Sequence, residues 1–204
     1  MLSSYRVLDL TDERGQLAGM MLADAGAEVI LVEPPTGSRA RRLGPFVDGR
    51  EGDPEASLWF WSYNRGKRSV TMDLDTPDGR EQLRQLAAGA DVVIESSDVG
   101  RMAARGLAYD DLAALNPGLV YVSISPFGQT GPKATWAATD FTVAAARMQM
   151  CLQGDDDRSP LRIPLDQSFL HGPAEAAGAA LVALAERNRS GPGQYVYVSA
   201  QPAL

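Results

Sequence analysis

The chain has 204 residues, a formal net charge of −7 and a single cysteine, Cys151. The acidic balance disfavours a nucleic-acid or anionic-membrane surface, and one cysteine excludes an internal disulfide and favours a reducing, cytoplasmic compartment. The longest small-apolar run, residues 176–185, falls short of the roughly 20 residues that a membrane span needs. We therefore expect one globular domain that binds neither nucleic acid nor membrane.

The first half of the chain alternates between short apolar runs and helically spaced segments. Residues 5–10 predict a strand, 15–26 a helix and 27–33 a second strand. The alternation returns with predicted strands at 67–74, 91–95 and 119–125 and predicted helices at 76–90 and 109–118. It predicts an α/β fold, a Rossmann-like and mainly parallel sheet with helices on both faces.

Local signals refine these elements. Thr76 is the predicted N-cap of its helix, Pro77 takes the first helical position, and Gly89 lies near the end. The longest irregular piece, residues 34–57, is rich in glycine, proline and charge, and loops of such length are usually functional or mobile.

The later part of the chain has a different pattern. Residues 126–136 predict a loop, 140–150 a helix and 153–160 a solvated turn. A small-residue helix follows Asp166, and residues 195–199 alternate as a strand. Because the sequence then stops where another element is expected, we expect it to be the front part of a longer protein.

Common catalytic motifs are not found in the sequence. The one histidine, His171, lies twenty residues from the one cysteine, so a metal cluster is not predicted. A G-x-S-x-G nucleophile elbow is missing, and the turn after the first strand reads LTDERGQLAG instead of the dinucleotide-binding G-x-G-x-x-G.

The first strand-to-helix turn still qualifies as a ligand site, because ligands of open α/β sheets bind at the carboxyl ends of strands. Arg14 and Gly15 occupy that turn. The alternative is a polar capping turn with Thr11 or Asp12 as the cap. From the residues alone, both interpretations stay open.

Two basic clusters have a similar ambiguity in this acidic chain. Arginines 39, 41 and 42 either clamp phosphates through bidentate hydrogen bonds or form a solvated loop. Residues 65–68 either face a nucleotide or flank a strand that buries Val70 and Met72.

Asp166 precedes the small-residue helix and has two possible roles. From spacing alone, an N-cap is favoured over a catalytic nucleophile. The nearby His171 is expected to be a packed or capping residue.

Six segments, in this order, resemble the class III CoA-transferase family, also called CaiB/BaiF. They are YRVLDLT, MLADAGAEVILVEPPTG, YNRGKRSVTMDLDTPDGREQL, ADVVIES, LNPGLVYVSISPFGQTGP and LVALAERNRSGPGQYVYVSAQ. The resemblance implies that residues 1–204 form the N-terminal portion of the large CoA-transferase domain. It also implies transfer of CoA from an acyl-CoA to a carboxylic acid, with Asp166 as the nucleophile.

The resemblance also implies which residues surround CoA, which is a substrate and not a permanently bound cofactor. The implied CoA-contacting residues are Arg14, Gly15, Arg41, Met72, Leu74, Ser96, Ser97, Arg105 and Thr139. The family's Asn-aromatic pair is replaced by Ser96 and Ser97. The catalytic histidine of the family's racemases is replaced by Thr139, which argues against racemisation.

Family members carry a later half that this sequence does not include. The resemblance therefore implies a homodimer or a partner chain that supplies the C-terminal half. A non-catalytic partner subunit is the main alternative function, because the aspartate is retained while CoA-contacting positions differ. An acyl-CoA racemase is the third interpretation.

Overall fold

A computed structural model of the protein describes residues 1–155 and 157–202. Its centre is a six-stranded sheet with the spatial order β3-β2-β1-β4-β5-β6. The strands are β1 (Arg6–Leu10), β2 (Glu28–Glu33), β3 (Arg68–Thr71), β4 (Val92–Glu95), β5 (Val120–Ser125) and β6 (Gln194–Ser199). Every neighbouring pair runs parallel, so the predicted fold class is confirmed.

Helices connect the strands. They are α1 (Gln16–Asp24), α2 (Leu58–Asn64), α3 (Pro77–Ala87), α4 (Arg101–Ala104), α5 (Tyr109–Ala113), α6 (Asp140–Ala146) and α7 (Ser168–Ser190). Two short 3-10 turns occupy Arg39–Arg42 and Gln149–Leu152. None of the helices in the described part of the chain combines the length and the apolarity that a transmembrane segment requires.

The helices cover both faces of the sheet, as the alternating pattern predicts. On one face, Leu22 of α1 and Leu184 of α7 pack with Val29 and Val122 of the strands. On the other face, Leu83 of α3 and Leu112 of α5 belong to a second apolar cluster. The two clusters sandwich the sheet, which is why the central strands are buried on both sides.

The predicted start of α3 is also confirmed. The Thr76 hydroxyl oxygen accepts a hydrogen bond from the Gly79 amide at 3.1 Å, and Pro77 is the first residue of the helix. The single helix predicted for residues 140–150 is wrong in its second half. The helix ends at Ala146, and Met148 has a φ of +63° before the 3-10 turn begins. The sequence pattern also gave no prediction for α2 or α4.

The strand order places a crevice between β1 and β4. From β1 the chain builds outward through β2 to β3, and from β4 it builds through β5 to β6 in the other direction. The loops that follow β1 and β4 therefore separate, and ligands of open α/β sheets bind at such a point.

Candidate active site

A cleft of about 570 Å³ opens at the carboxyl ends of β1 and β4, and we call it the main cleft. Its walls come from the β1–α1 turn, the 3-10 turn after β2, and the N-termini of α4, α6 and α7. Its lining includes Arg14, Arg39, Arg101, Thr139 and Asp166. A side cleft of about 360 Å³ shares Arg14 and is lined by Ser97. Four of the predicted site residues thus lie in one connected region.

Arg14 is fixed within the turn that connects β1 to α1. Its Nη2 donates to Asp12 Oδ2 at 2.7 Å and to the carbonyl oxygen of Ser96 at 2.8 Å. Ser96 Oγ in turn donates to Asp12 Oδ1 at 2.9 Å. These contacts tie the turn after β1 to the turn after β4, so the floor of the main cleft is rigidly connected.

The N-terminus of α1 has no side-chain cap, and neither Thr11 nor Asp12 takes that role. Gly15 is the N-cap residue, and a Cβ atom there would lie 2.6 Å from Thr11 Cγ2 and 3.3 Å from Ser96 Cβ. A glycine is therefore required at this position for the two turns to pack. The capping interpretation of the LTDERG turn holds only in part: Asp12 does not cap α1 itself, but its Oδ1 accepts from the Arg14 amide at 3.0 Å and so caps the turn that leads into the helix, besides holding the Arg14 side chain.

Arg41 forms ion pairs with two carboxylates, Glu33 and Glu55. Its Nε and Nη2 donate to the two oxygens of Glu33 at 2.6 and 2.8 Å, and Nη1 donates to Glu55 at 2.9 Å. The guanidinium also lies 3.9 Å from the centroid of the Phe60 ring. Its neighbour Arg39 points into the main cleft.

The other implied CoA contacts lie on the α3–α5 side of the sheet. Met72 is 7% exposed in the apolar cluster on that face, and Leu74 packs against the same cluster. Arg105 Nε donates to Asp75 Oδ1 at 3.1 Å. Among the described residues, the lining of the main cleft does not include these three side chains.

Asp166 is exposed just before the start of α7. Its side chain is 57% exposed, and Oδ1 accepts a hydrogen bond from Arg162 Nη2 at 2.6 Å. The preceding residue, Leu165, has a φ of +67°, which turns the chain so that the carboxylate faces the cleft instead of the helix amides.

The N-terminus of α7 is capped from a distance by Asp140. Asp140 Oδ1 accepts hydrogen bonds from the amides of Ser168 at 2.6 Å and Phe169 at 3.2 Å. Asp140 is the first residue of α6 and is 5% exposed. The N-cap role that the sequence offered for Asp166 is therefore wrong, because another carboxylate already satisfies these amides. His171 is half-buried inside α7, past the capping position.

Thr139 caps α6. Its hydroxyl oxygen accepts from the Thr142 amide at 3.2 Å, while Thr142 Oγ1 accepts from the Thr139 amide at 2.9 Å. This reciprocal capping box starts α6 at the cleft and presents Asp140 to α7. One threonine therefore supports both helix N-termini at the site.

Glu13 is a site residue that the sequence pattern did not single out. It lines the main cleft, and its Oε2 is buried without a hydrogen-bond partner among the described residues. Burial, together with the neighbouring charge of Asp12, raises the pKa of Glu13, although Arg39 and Arg14 act in the opposite direction. Arg39 Nε lies 3.4 Å from Glu13 Oε1.

A third opening, of about 270 Å³, lies beside the main cleft and shares Glu13, Arg162, Asp166 and Phe169 with it. We call it the aromatic cleft. Its remaining lining is Trp59, Tyr63, Leu165 and Leu170. The exposed carboxylate of Asp166 therefore lies where the main cleft and the aromatic cleft meet.

The family model described as CoA-transferase family III matches residues 2–203. The succinyl-CoA:(R)-benzylsuccinate CoA-transferase subunit BbsE of Thauera aromatica is 40% identical over 97% of this chain and 48% of its own length. The succinate–glutarate CoA-transferase of Agrobacterium fabrum is 39% identical over 96% of this chain and 50% of its own.

The structural comparison agrees. A crystal structure of a CaiB/BaiF family protein from Brucella suis superimposes with a TM-score of 0.92 at 38% identity, covering 98% of this chain and 53% of that one. The chain spans about half the length of the curated relatives it matches.

Proposed function

The chain belongs to CoA-transferase family III, and on that premise we propose that it is the N-terminal portion of the large domain of an acyl-CoA:carboxylate CoA-transferase. In this proposal Asp166 is the nucleophile. One observation carries it: Asp140 satisfies the amides of α7, which leaves the Asp166 carboxylate exposed to the cleft. A carboxylate with no helix to cap, at the edge of two clefts, is available for covalent chemistry.

The proposed reaction is a sequence of acyl exchanges. The Asp166 carboxylate attacks the thioester carbonyl, which forms a mixed anhydride and releases CoA thiolate. The thiolate then attacks the aspartyl carbonyl, giving an aspartyl-CoA thioester and the free donor acid. The acceptor carboxylate attacks this thioester and forms a second anhydride, and the released thiolate takes the acceptor acyl group. Asp166 is regenerated as a carboxylate.

CoA carries several phosphates, and an acidic chain must gather cations locally to bind them. We propose that CoA enters along the main and side clefts, where Arg14, Ser97 and Thr139 lie. Arg39 and Arg101 line the main cleft as further candidates for phosphate binding. For the other implied residues, contact with CoA stays a prediction; these are Gly15, Ser96, Arg41, Met72, Leu74 and Arg105.

A non-catalytic or incomplete partner subunit is the second candidate function. It is favoured by the relative from Thauera aromatica, whose name describes one subunit of a CoA-transferase. A homodimer, or a partner chain that supplies a C-terminal half, stays a prediction. A racemase is disfavoured because Thr139, a capping residue here, has no side chain that exchanges protons at neutral pH.

The test is the substitution Asp166→Asn in the complete protein. Asparagine keeps the shape of the side chain but lacks the anionic oxygen, so CoA transfer should fall by at least about a thousandfold while the melting temperature stays unchanged. Mass spectrometry of wild type incubated with acyl-CoA should detect an adduct on the peptide that contains Asp166, and the variant should give none.

Asp155→Asn is the matched control, since Asp155 is also exposed and pairs with a nearby arginine, Arg158, at 3.4 Å. It should retain wild-type turnover. An Asp166→Asn variant that transfers CoA normally would exclude Asp166 as the nucleophile. A wild type that forms no adduct and transfers no CoA would favour the partner-subunit function.

A further inference from the structure

We propose that the aromatic cleft binds the carboxylic acid substrate, with Arg162 holding the acid's carboxylate and the aromatic wall selecting an apolar, ring-sized body. This inference rests on the proposed function, because it assigns the substrate of the same site. It adds a binding residue, Arg162, and a substrate class to that function.

The wall of the aromatic cleft combines an aromatic and aliphatic part with a charged part. The Trp59 and Tyr63 rings of α2 lie with their centroids 4.4 Å apart and their planes inclined by 47°. Across the opening, α7 contributes Phe169 and Leu170. Small polar acids gain little from such walls, whereas an aryl or branched alkyl group buries apolar surface against them.

The size of the aromatic cleft limits its ligand. Its volume of about 270 Å³ lies just below the roughly 300–1,000 Å³ that is usual for small-molecule sites. A single ring with a short side chain suits this space better than a long acyl chain or a fused ring system.

The charges of the aromatic cleft explain why an arginine is needed. Glu13 and Asp166 are its two carboxyl groups, and Arg162 is the only cation among its described lining residues. A carboxylate substrate would be repelled by Asp166 unless a cation offset that charge.

Arg162 has donor groups left for a third carboxylate, in addition to Asp166 and Asp140. Its hydrogen bonds within the described residues all run from Nη2, to Asp166 at 2.6 Å and to Asp140 and the Leu165 carbonyl oxygen at 3.4 Å each. Nε and Nη1 have no hydrogen-bond partner among the described residues, so each can donate one hydrogen bond to a ligand carboxylate. These two groups lie on different edges of the guanidinium, so a bidentate contact would also use Nη2, which Asp166 shares. An acid held there lies beside the nucleophile that must exchange with it.

The test measures binding directly, by calorimetry with the complete protein and two probe acids, 3-phenylpropanoate and acetate. Wild type should bind 3-phenylpropanoate at least tenfold more tightly than acetate. Arg162→Gln should weaken 3-phenylpropanoate binding by about tenfold or more, because a charge-assisted hydrogen bond is lost. Trp59→Leu should weaken 3-phenylpropanoate several-fold and leave acetate unchanged.

Arg158→Gln is the matched control, because Arg158 is an exposed arginine on the same segment that pairs with Asp155. It should bind both acids like wild type. Equal affinity of wild type for the two acids, no binding of either, or unchanged affinity in Arg162→Gln would each overturn the proposal.

The outcomes for this site and for the nucleophile are separable. If Asp166 forms an adduct but acid binding does not depend on Arg162, only the proposed binding site is wrong. Acid binding that depends on Arg162, without any adduct or transfer, overturns the catalytic role of Asp166 and leaves the binding site in place.

Discussion

Glu33, the last residue of β2, is a carboxylate that is only 4% exposed. Burial by itself would oppose its ionisation, but hydrogen bonds from Arg41, from the Ser69 hydroxyl and from the Ser38 amide outweigh burial and lower the pKa of Glu33 to about 2. Because the folded-state pKa lies below the ordinary value of 4.5, the charged form stabilises the fold. That stabilisation is fully present above about pH 4.5 and is lost as the pH falls towards 2.

We expect Glu33→Gln to remove this pH dependence. The wild type should lose up to about 3 kcal/mol more unfolding free energy than the variant between pH 5 and 2, as measured by urea denaturation at a series of pH values. Glu51→Gln, at an exposed position, should follow the wild-type curve. Parallel curves for wild type and Glu33→Gln would contradict the prediction.

Single residues differ in how much the sequence indicates about them. The helix cap at Thr76 could be predicted because its partner, Gly79, lies three residues away. The cap of α7 could not, because Asp140 and Ser168 are 28 positions apart. The ion pair between Arg41 and Glu33 could not be predicted either, because the sequence pattern singled out the arginines and not Glu33.

At the scale of elements, α7 depends on Asp140 for its start. Asp140→Ala should destabilise the protein by about 1–2 kcal/mol, since two backbone amides lose their acceptor. Asp140→Asn should cost only a few tenths of a kcal/mol, because its side-chain oxygen still accepts hydrogen bonds. Denaturation in urea measures both values.

The control for this prediction is Glu175→Ala, at an exposed position within α7. Alanine is a good helix former, so this change should leave stability within about 0.5 kcal/mol of wild type. If Asp140→Ala were as stable as Glu175→Ala, the amides of α7 would not depend on Asp140.

The elements that the sequence pattern missed are short. α2 and α4 have seven and four residues, too few to establish a helical period. α2 is also aromatic on several sides, because Trp59 and Tyr63 face the aromatic cleft while Phe60 contacts Arg41. Its amphipathic pattern is therefore masked by the residues that build the site.

At the scale of the whole molecule, the parallel sheet could be predicted because buried strands and covering helices leave a strong alternating pattern. The clefts could be predicted only in part. The carboxyl ends of β1 and β4 follow from topology, and Arg14, Ser97 and Thr139 line the main cleft or the side cleft there. Glu13 and Arg162 were not singled out, because their place in the clefts depends on elements distant in the sequence, although the contact of Arg162 with Asp166 is local.

A buried polar network joins four elements beside the crevice. Lys67 Nζ donates to Asp9 Oδ2 at 2.7 Å, to the Gln16 carbonyl oxygen at 2.8 Å and to Asn64 Oδ1 at 2.9 Å. A Cβ atom at Gly19 would lie 2.1 Å from Asp9 Oδ2, so a larger residue at this position would collide with the Lys67–Asp9 ion pair. The network holds β1, α1, α2 and the start of β3 together.

Lys67 is therefore expected to matter for the stability of the whole protein. The Lys67 and Asp9 side chains are 1% and 0% exposed, so Lys67→Met should leave a buried carboxylate without its cation and cost about 3–5 kcal/mol. Arg68→Gln, which removes the next cation along the chain at a side chain that is 79% exposed, should cost less than about 1 kcal/mol. The double variant Asp9→Asn, Lys67→Met should recover part of the loss, because it removes the unpaired charge while the asparagine oxygen still accepts from Thr11. Urea denaturation of the wild type, the two single variants and the double variant measures these differences in unfolding free energy. If Lys67→Met were as stable as Arg68→Gln, the network would stabilise the fold through packing and not through charge pairing.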